Sequence, residues 1–576
     1  MKQTFLLFFG LCCAFAGPAR GAYDITADSV HRHIEVLASD SLEGREVGEP
    51  GEMKAARYLI AVMEAAELKP YGDSGSFLQA FDFIKRITPG KDNRLTVNGQ
   101  KLVLKEDFEP LFHSADTVFD FSQVVDVNYG IITDDSSHND YADKEVEGKA
   151  VLIKRYAPES EGPEDAEDTT EVLDTIFDRH SDLTTKVVTA INHGAAGVFF
   201  WTPPEHDDTL LMTGATRITP KGIPVVFLRR RGLEKLGLDL TSPEIMTVSG
   251  QTDLERVRDT GYNVVGYLPG ATDTTVIIGA HYDHLGWGGP SSRYLEKEKK
   301  IHYGADDNAS GVSAMLELAR YAASRPDELR HSMLFIGFGG EEAGLLGSSH
   351  YVRNWTIDRG KARMMINMDM IGRLKDQEKG LAVLGTGTCP DFKEYFDGLD
   401  VGDLTVVFKE SGTGPSDHAA FYNDSIPVLN FFTGAHEDYH KPSDVIEKID
   451  FEGIVSVSNL IAGIVQHFDD YPNELVFQRT KDDGPGRHSR SYSVTLGIMP
   501  DFISEVQGLR IDGVSPDRPA DHAGLLKGDI IVKMGEIVID DIYTYMNALS
   551  KFRLGDTTQV SLVRGEDTLN VTVEFK

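Results

Sequence analysis

Cysteine is almost missing from this chain. Of 576 residues only three are Cys, and two of them, Cys12 and Cys13, sit in an apolar stretch at the N-terminus. With that stretch set aside Cys389 stands alone, which excludes an intrachain disulfide or a cysteine metal cage and leaves it a plain buried thiol. Basic charge is scarce as well: 57 Lys and Arg face 91 Asp and Glu, a formal net charge of -34. Such a field repels phosphate backbones and anionic membrane surfaces, so no nucleic-acid partner is expected. Beyond the N-terminal stretch no apolar run approaches the ~20 residues that cross a bilayer, so no transmembrane segment is expected in the mature chain. Core material, by contrast, is plentiful. Hydrophobic residues make up 41%, and a chain this long divides them among two or three domains.

Met1-Lys2, the apolar run Thr4 to Phe15 and the small-residue pattern Ala14-Phe15-Ala16 have the layout of a secretory signal peptide. The expectation is that residues 1–22 are such a peptide and that the protein is exported, periplasmic or secreted. A lipid anchor at Cys12 or Cys13 is the alternative, although Leu11 fits a lipoprotein cleavage box poorly.

From Ile25 to Phe83 the apolar spacing reads as helical, and residues 23–104 as the N-terminal part of an α/β domain. Residues 105–255 have the texture of short strands, such as Ala150 to Lys154 and Ile223 to Leu228, and read as a β-rich insert. The acidic run Glu159 to Asp168 inside it reads as a solvated loop. Residues 256–475 alternate apolar strands with helices, which predicts a mostly parallel, mixed sheet with helices on both faces. A polar linker, 476–490, precedes a separate unit at 491–576.

The chemistry concentrates where strands end. Val276 to Ala280 runs into His281-Tyr282-Asp283, Met333 to Phe338 into Glu341-Glu342, and Met364 to Met368 into Asp369. In open α/β sheets ligands bind at the carboxyl ends of strands. Between the first two lies Gly304-Ala305-Asp306-Asp307-Asn308, and later Asp438-Tyr439-His440-Lys441-Pro442-Ser443-Asp444. Imidazoles and carboxylates without cysteine suit zinc, and two ions ~3.5–4 Å apart can share one carboxylate. Of the paired Glu341-Glu342 one can bind metal while the other takes a proton from metal-bound water, which makes Glu341 the general base. Asp283 can accept the other ring N–H of His281 and fix its tautomer. Taken singly any of these residues reads more simply as a surface or capping group, Asp307 as a helix N-cap for instance; their joint placement argues for metal.

These residues resemble the bacterial and fungal secreted di-zinc aminopeptidases of the aminopeptidase Y type, peptidase family M28. The matching pieces, in family order, are His281-Tyr282-Asp283, Asp306 to Gly311, Glu341 to Ser348, Asn367-Met368-Asp369 and Tyr439-His440. The resemblance implies two Zn2+ ions bridged by Asp307, one completed by His281 and Asp369, the other by Glu342 and His440. It also implies Glu341 as the base, a cis Asp307–Asn308 peptide, and Tyr439 as hydrogen-bond donor to the developing oxyanion. Asp417-His418 resembles a structural element of the family. The insert at 105–255 looks like a protease-associated domain, and the last unit like a PDZ domain, with Leu496-Gly497-Ile498-Met499-Pro500 as its carboxylate-binding loop; such a loop captures peptide C-termini. His284, His302 and His436 read as loop or supporting residues.

The implied function is release of N-terminal amino acids from peptide substrates by metal-bound hydroxide with Glu341 as base. A carboxypeptidase, dipeptidase or glutaminyl cyclase on the same fold remains open, since the motifs do not show which peptide end is recognised, and so does a non-catalytic relative.

Overall fold

The computed structural model describes residues 23–133, 138–158, 183–209, 221–289, 291–294, 298–376 and 380–480. In the last unit it describes 494–500, 508–514, 518–535, 537–539, 545, 548–549, 551–552, 556–565 and 567–575. The expected signal peptide, the acidic run 159–168 and linker residues 481–490 lie outside these.

A nine-stranded mixed sheet forms the central layer. Its main path runs Lys69–Pro70, Leu254–Leu268, His331–Phe338, Thr272–His281, Ala362–Met368, Val428–Phe432, Leu381–Leu384 and Val406–Lys409. The four strands from His331–Phe338 to Val428–Phe432 are parallel, and their neighbours Leu254–Leu268 and Leu381–Leu384 run against them. Val276, Ile277 and Ile278, like Leu334, Phe335 and Ile336, are unbroken apolar runs buried throughout, as a sheet covered on both faces requires.

Alternation along each strand then feeds two cores. Ile278 and Phe335 pack with Ile34, Leu59, Met315 and Ile461 from the helices Ala27–Leu37, Pro50–Ala65, Gly311–Ala323 and Phe451–Asp470. Ile277, Leu334 and Ile336 pack on the opposite face with Tyr351 and Phe421, from the short helices Leu346–Tyr351 and His418–Asn423. The parallel strands therefore end at one edge, and His281, Glu341, Asp369 and His440 all follow or close such ends.

Two sequence expectations need correcting. The helical reading of Ile25 to Phe83 stops early, because Leu78–Pro89 is a strand paired along Leu254–Leu268. Gln79, Phe81 and Phe83 are buried while Ala80 and Asp82 are exposed, a period of two that no helix produces. The β-rich unit also reaches back beyond residue 105. Arg94–Val97 pairs with Val248–Thr252 and with Gln100–Leu102, in a four-stranded sheet completed by Thr117–Phe121. Beside it lies a five-stranded sheet of Phe108–Pro110, Val225–Leu228, Gly197–Trp201, Ala150–Lys154 and Val124–Asp126. The last unit has its own core, with Leu496, Ile511, Ile531 and Val560 at its centre.

A buried acid ties the N-terminal segment to the core. Glu317 accepts hydrogen bonds from Ser29 Oγ (2.5 Å), Tyr23 OH (2.6 Å), Arg320 Nη1 (2.8 Å) and His33 Nε2 (2.9 Å). Burial opposes its charge, but the bonds from His33, Ser29 and Tyr23 pull its carboxyl down to about 2. The folded pKa lies below the unfolded ~4.3, so this stabilisation is complete above that value and is lost as pH falls toward 2. Glu317→Gln turns an acceptor into a partial donor among donors and is expected to cost about 1–3 kcal/mol at pH 7. Urea unfolding at pH 7 and pH 3 should show that difference shrinking in acid; an equal difference at both pH values would contradict the account.

Candidate metal centre

His281 closes the strand Thr272–His281, and its Nε2 lies 3.3 Å from Asp307 Oδ1 and 3.3 Å from Asp369 Oδ1. On the other side of Asp307, His440 Nε2 lies 3.3 Å from Asp307 Oδ2 and 3.1 Å from Glu342 Oε2. Asp307 thus faces both imidazoles, one through each carboxylate oxygen. The Asp307–Asn308 peptide is cis, as expected.

The turn that carries Asp307 is held from three sides. Asp444 Oδ2 accepts from the backbone N–H groups of Asp306 (2.9 Å) and Asp307 (3.1 Å). Asn308 donates to the Met368 carbonyl (2.9 Å) and accepts from the N–H of Gly311 (3.0 Å) and Met370 (3.1 Å). Asp307 and Asp369 are thereby fixed to each other through their backbones.

Asp283 is used differently from the sequence expectation. His281 Nδ1 meets the Asp283 backbone carbonyl at 3.2 Å, while the nearer carboxylate oxygen is 3.7 Å away. The carboxylate instead accepts from the backbone N–H groups of Glu341 (3.0 Å) and Glu342 (3.3 Å), so it sets the turn that presents both glutamates. His440 Nδ1 is matched by the Ser291 carbonyl at 2.9 Å, and the Tyr439 ring stacks on the His440 ring at 3.8 Å.

The donor set fits zinc on two counts. Four donor atoms held ~2.0–2.1 Å from a tetrahedral ion stand ~3.3 Å from one another, and the spacings of 3.1–3.3 Å around His281 and His440 have that size. The charge argues the same way. Asp283, Asp307, Glu341, Glu342 and Asp369 crowd one largely buried edge, and buried anions require a counter-ion. In the protein alone protons take that place: burial disfavours imidazolium, yet Glu342 and Asp307 hold His440 up at about 11, and Asp369 and Glu341 raise His281. A divalent cation would displace these protons on binding.

Glu341 sits apart from the ligand pairs in its electrostatics. Burial pushes its carboxyl well above the usual range, Glu342, Asp369 and Asp417 add to this, and His281 opposes it. Asp417, at the start of His418–Asn423, is raised by burial to about 7, and burial lowers His418 to about 3, leaving that imidazole neutral. Tyr439 keeps its proton, with burial and the nearby Asp307 and Glu342 pushing its hydroxyl up.

Sequence reasoning named His284, His302 and His436 only as loop or supporting residues and did not single out Arg45. His284 is brought into the cluster: Nδ1 lies 2.8 Å from Glu342 Oε1 and 3.8 Å from Asp307 Oδ2, and His284, Asp307 and Glu342 form a group able to hold an ion. Its place two residues beyond Tyr282 in the same loop was the available signal. Arg45 had none. Its side chain is buried and donates to the carbonyls of Leu37 (2.5 Å), Tyr282 (2.8 Å), Tyr303 (2.8 Å) and Gly304 (3.0 Å), pinning the His281 and Asp307 loops together. His436 Nε2 supports Asp306 at 3.1 Å, and His302 Nε2 meets Ser292 Oγ at 2.7 Å.

Residues 263–465 match the family described as peptidase family M28, and residues 494–575 match the PDZ domain. The chain contains a peptidase family M28 domain. Every residue of the cluster falls inside that M28 match, and the four parallel strands that present it do too. A probable leucine aminopeptidase of Trichophyton verrucosum is 27% identical over 223 residues, covering 37% of this chain and 57% of that protein. Aminopeptidase YwaD of Bacillus subtilis is 29% identical over 262 residues, covering 41% and 51%. Leupeptin-inactivating enzyme 1 of Streptomyces exfoliatus is 33% identical over 193 residues, covering 33% and 39%. The chain thus spans about half the length of these relatives.

Asp444 touches no donor atom of the cluster yet positions Asp307 through two N–H bonds. Asp444→Asn is therefore expected to weaken zinc binding by about 10–100-fold, read by competition with a chromogenic chelator at fixed pH. Unchanged affinity would show that the turn holds without it.

Proposed function

We propose that this protein is a zinc-dependent aminopeptidase that hydrolyses the first peptide bond of peptides with a free amino terminus. The observation that carries the reading is the paired arrangement around Asp307, with one imidazole and one further carboxylate on each side and Glu341 next to it in a buried edge. The relatives named leucine aminopeptidase and aminopeptidase support the choice of substrate end.

In this reading His281 and Asp369 would hold one zinc ion and Glu342 and His440 a second, Asp307 would serve both through its two carboxylate oxygens, and His284 backs Glu342. Zinc, when bound, supplies the Lewis acidity that acidifies water and polarises the scissile carbonyl. Glu341 takes the proton from the attacking water and delivers it to the leaving amine nitrogen, so that one carboxyl serves as base and then acid. Its raised proton affinity suits that exchange. The Tyr439 hydroxyl donates to the oxygen on which negative charge develops. Asp283 keeps the Glu341 and Glu342 backbones in place, and the Asp283 carbonyl keeps the His281 tautomer.

The β-rich unit between the first helices and the M28 domain belongs in this reading as a protease-associated domain that shapes access to the cluster. The apolar leader at Thr4 to Phe15 adds export to the periplasm or medium.

The deciding measurement is mass spectrometry of matched free-amine and N-acetylated peptides incubated with the full chain, with and without chelator. Stepwise loss from free amino ends only, abolished by chelation, is expected. Trimming of acetylated peptides from the other end would replace the proposal with a carboxypeptidase. Glu341→Gln should retain its zinc while kcat falls about 10²–10⁴-fold; full activity in that variant would remove Glu341 from the base role.

A further inference from the structure

Four residues, Ser291 to Tyr294, run beside the metal cluster and grip its last member. The Ser291 carbonyl meets His440 Nδ1 at 2.9 Å, and the Arg293 backbone N–H donates to the His440 carbonyl, also at 2.9 Å. His440 needs that grip, because its φ of +58° lies in the left-handed region, which a residue with a Cβ keeps only where its surroundings fix it. The segment is braced in turn: Ser292 Oγ lies 2.7 Å from His302 Nε2 and accepts from the Tyr294 N–H at 3.1 Å. Backbone groups and one hydroxyl do all of this. The Arg293 side chain takes no part in it and reaches elsewhere.

Its guanidinium lies over the Tyr439 ring, 5.5 Å from the centroid, and that ring stacks on the His440 ring at 3.8 Å with 25° between the planes. Guanidinium, phenol and imidazole are thus in consecutive contact. A cation over an aromatic face is attracted by the ring quadrupole, more strongly where water is excluded. Burial is the main influence on Arg293 and lowers its proton affinity, so the contact is of the desolvated kind. The same guanidinium donates from Nη2 to the Ile498 carbonyl of the PDZ unit at 3.4 Å. That carbonyl is well anchored. Ile498 opens the strand Ile498–Pro500, pairs with Val514 and buries its side chain in the PDZ core, and the Ala520 N–H holds the Leu496 carbonyl at 2.8 Å.

We propose that Arg293 is a positioning residue for Tyr439: tethered to the Ile498 carbonyl, its guanidinium holds the phenol ring against His440, so that the PDZ unit supplies one support of the metal centre. This rests on the reading of Tyr439 as donor to the oxygen on which charge develops. An interaction of that kind is made in the transition state and not with bound substrate, so misplacing the hydroxyl lowers kcat and leaves KM alone. A displacement of about 1 Å is enough to cost on the order of 10²-fold. The planar fork of Arg suits the task better than Lys, since one group can lie on a ring and donate sideways to a carbonyl at the same time.

The test measures kcat and KM of the full chain on a free-amine tripeptide with N-terminal leucine. Arg293→Met is expected to lower kcat by about 10–100-fold with KM nearly unchanged, and Arg293→Lys to recover part of the loss. Adding Arg293→Met to Tyr439→Phe should cost nothing further, because the hydroxyl it positions is already gone. An unchanged kcat in Arg293→Met, or a full additional loss in the double variant, would overturn the proposal. Gly497→Ala tests the PDZ support: φ there is +76°, and a Cβ would stand 2.2 Å from Arg518 Cβ, so the turn before Ile498 must shift. Its loss of kcat should not add to that of Arg293→Met; additive losses would refute the link to the PDZ unit. A readout without turnover keeps this separate from the aminopeptidase reading: fluorine NMR of the full chain with Tyr439 replaced by 3-fluorotyrosine. The resonance should move in Arg293→Met and in Gly497→Ala even if no peptide is cleaved, whereas a resonance unmoved by Arg293→Met would refute the positioning role.

Discussion

The structure is organised around one electrostatic problem: several carboxylates brought to a single buried edge of a sheet. Parallel strands deliver them there because all such strands end on the same side, and the helices that cover both faces remove the water that would otherwise screen them. Like charges in that setting repel strongly. The arrangement persists only with cations among the carboxylates. The imidazoles of His281 and His440, both held protonated by the carboxylates beside them, occupy those positions, and zinc is the ion that their spacing and chemistry suit.

Much of the surrounding architecture serves to hold those acids at fixed separations. Asp444 grips the Asp306 and Asp307 amides, and its charge is met by Arg373 at 3.3 Å, which also reaches Asp438 at 3.1 Å. Asp283 grips the Glu341 and Glu342 amides. Arg45 spends its guanidinium on four carbonyls and so locks the loops after Thr272–His281 and before Gly311–Ala323 to the N-terminal helix. Asp444, Asp283 and Arg45 are each buried and bound to backbone partners, which converts a desolvation penalty into positional precision. Carboxylates that bind backbone amides leave the neighbouring side chains free to face a ligand.

The chain's three units meet through few but specific elements. Leu78–Pro89 and Leu254–Leu268 form a long antiparallel ribbon, whose far end enters the β-rich unit and whose near end joins the central sheet. The Ser291 to Tyr294 segment reaches from His440 to Ile498.

How much of this was legible beforehand varied with the kind of signal. Strands and ligating residues were readable because apolar runs ending in His, Asp or Glu are local patterns: Val276 to Ala280 and Met364 to Met368 needed no partner to be recognised. The strand at Leu78–Pro89 was missed although Pro70, Gly72 and Gly75 break the helical stretch before it, because its clear alternation spans only Gln79 to Phe83. The start of the β-rich unit was misplaced because the short hairpin Arg94–Val97 and Gln100–Leu102 joins a larger sheet only through Val248–Thr252, more than a hundred residues later. Arg45 was invisible as a contributor, and the particular parts played by Asp444 and His284 were not readable, since their partners are backbone groups or carboxylates brought near by folding alone. The sequence by itself determined the chemistry, a set of imidazoles and carboxylates at strand ends with no thiol to compete. Only the tertiary structure decided the pairing around Asp307, the role of Asp283 and the approach of Arg293 to the PDZ turn, because each depends on distances between segments that the order of residues does not encode.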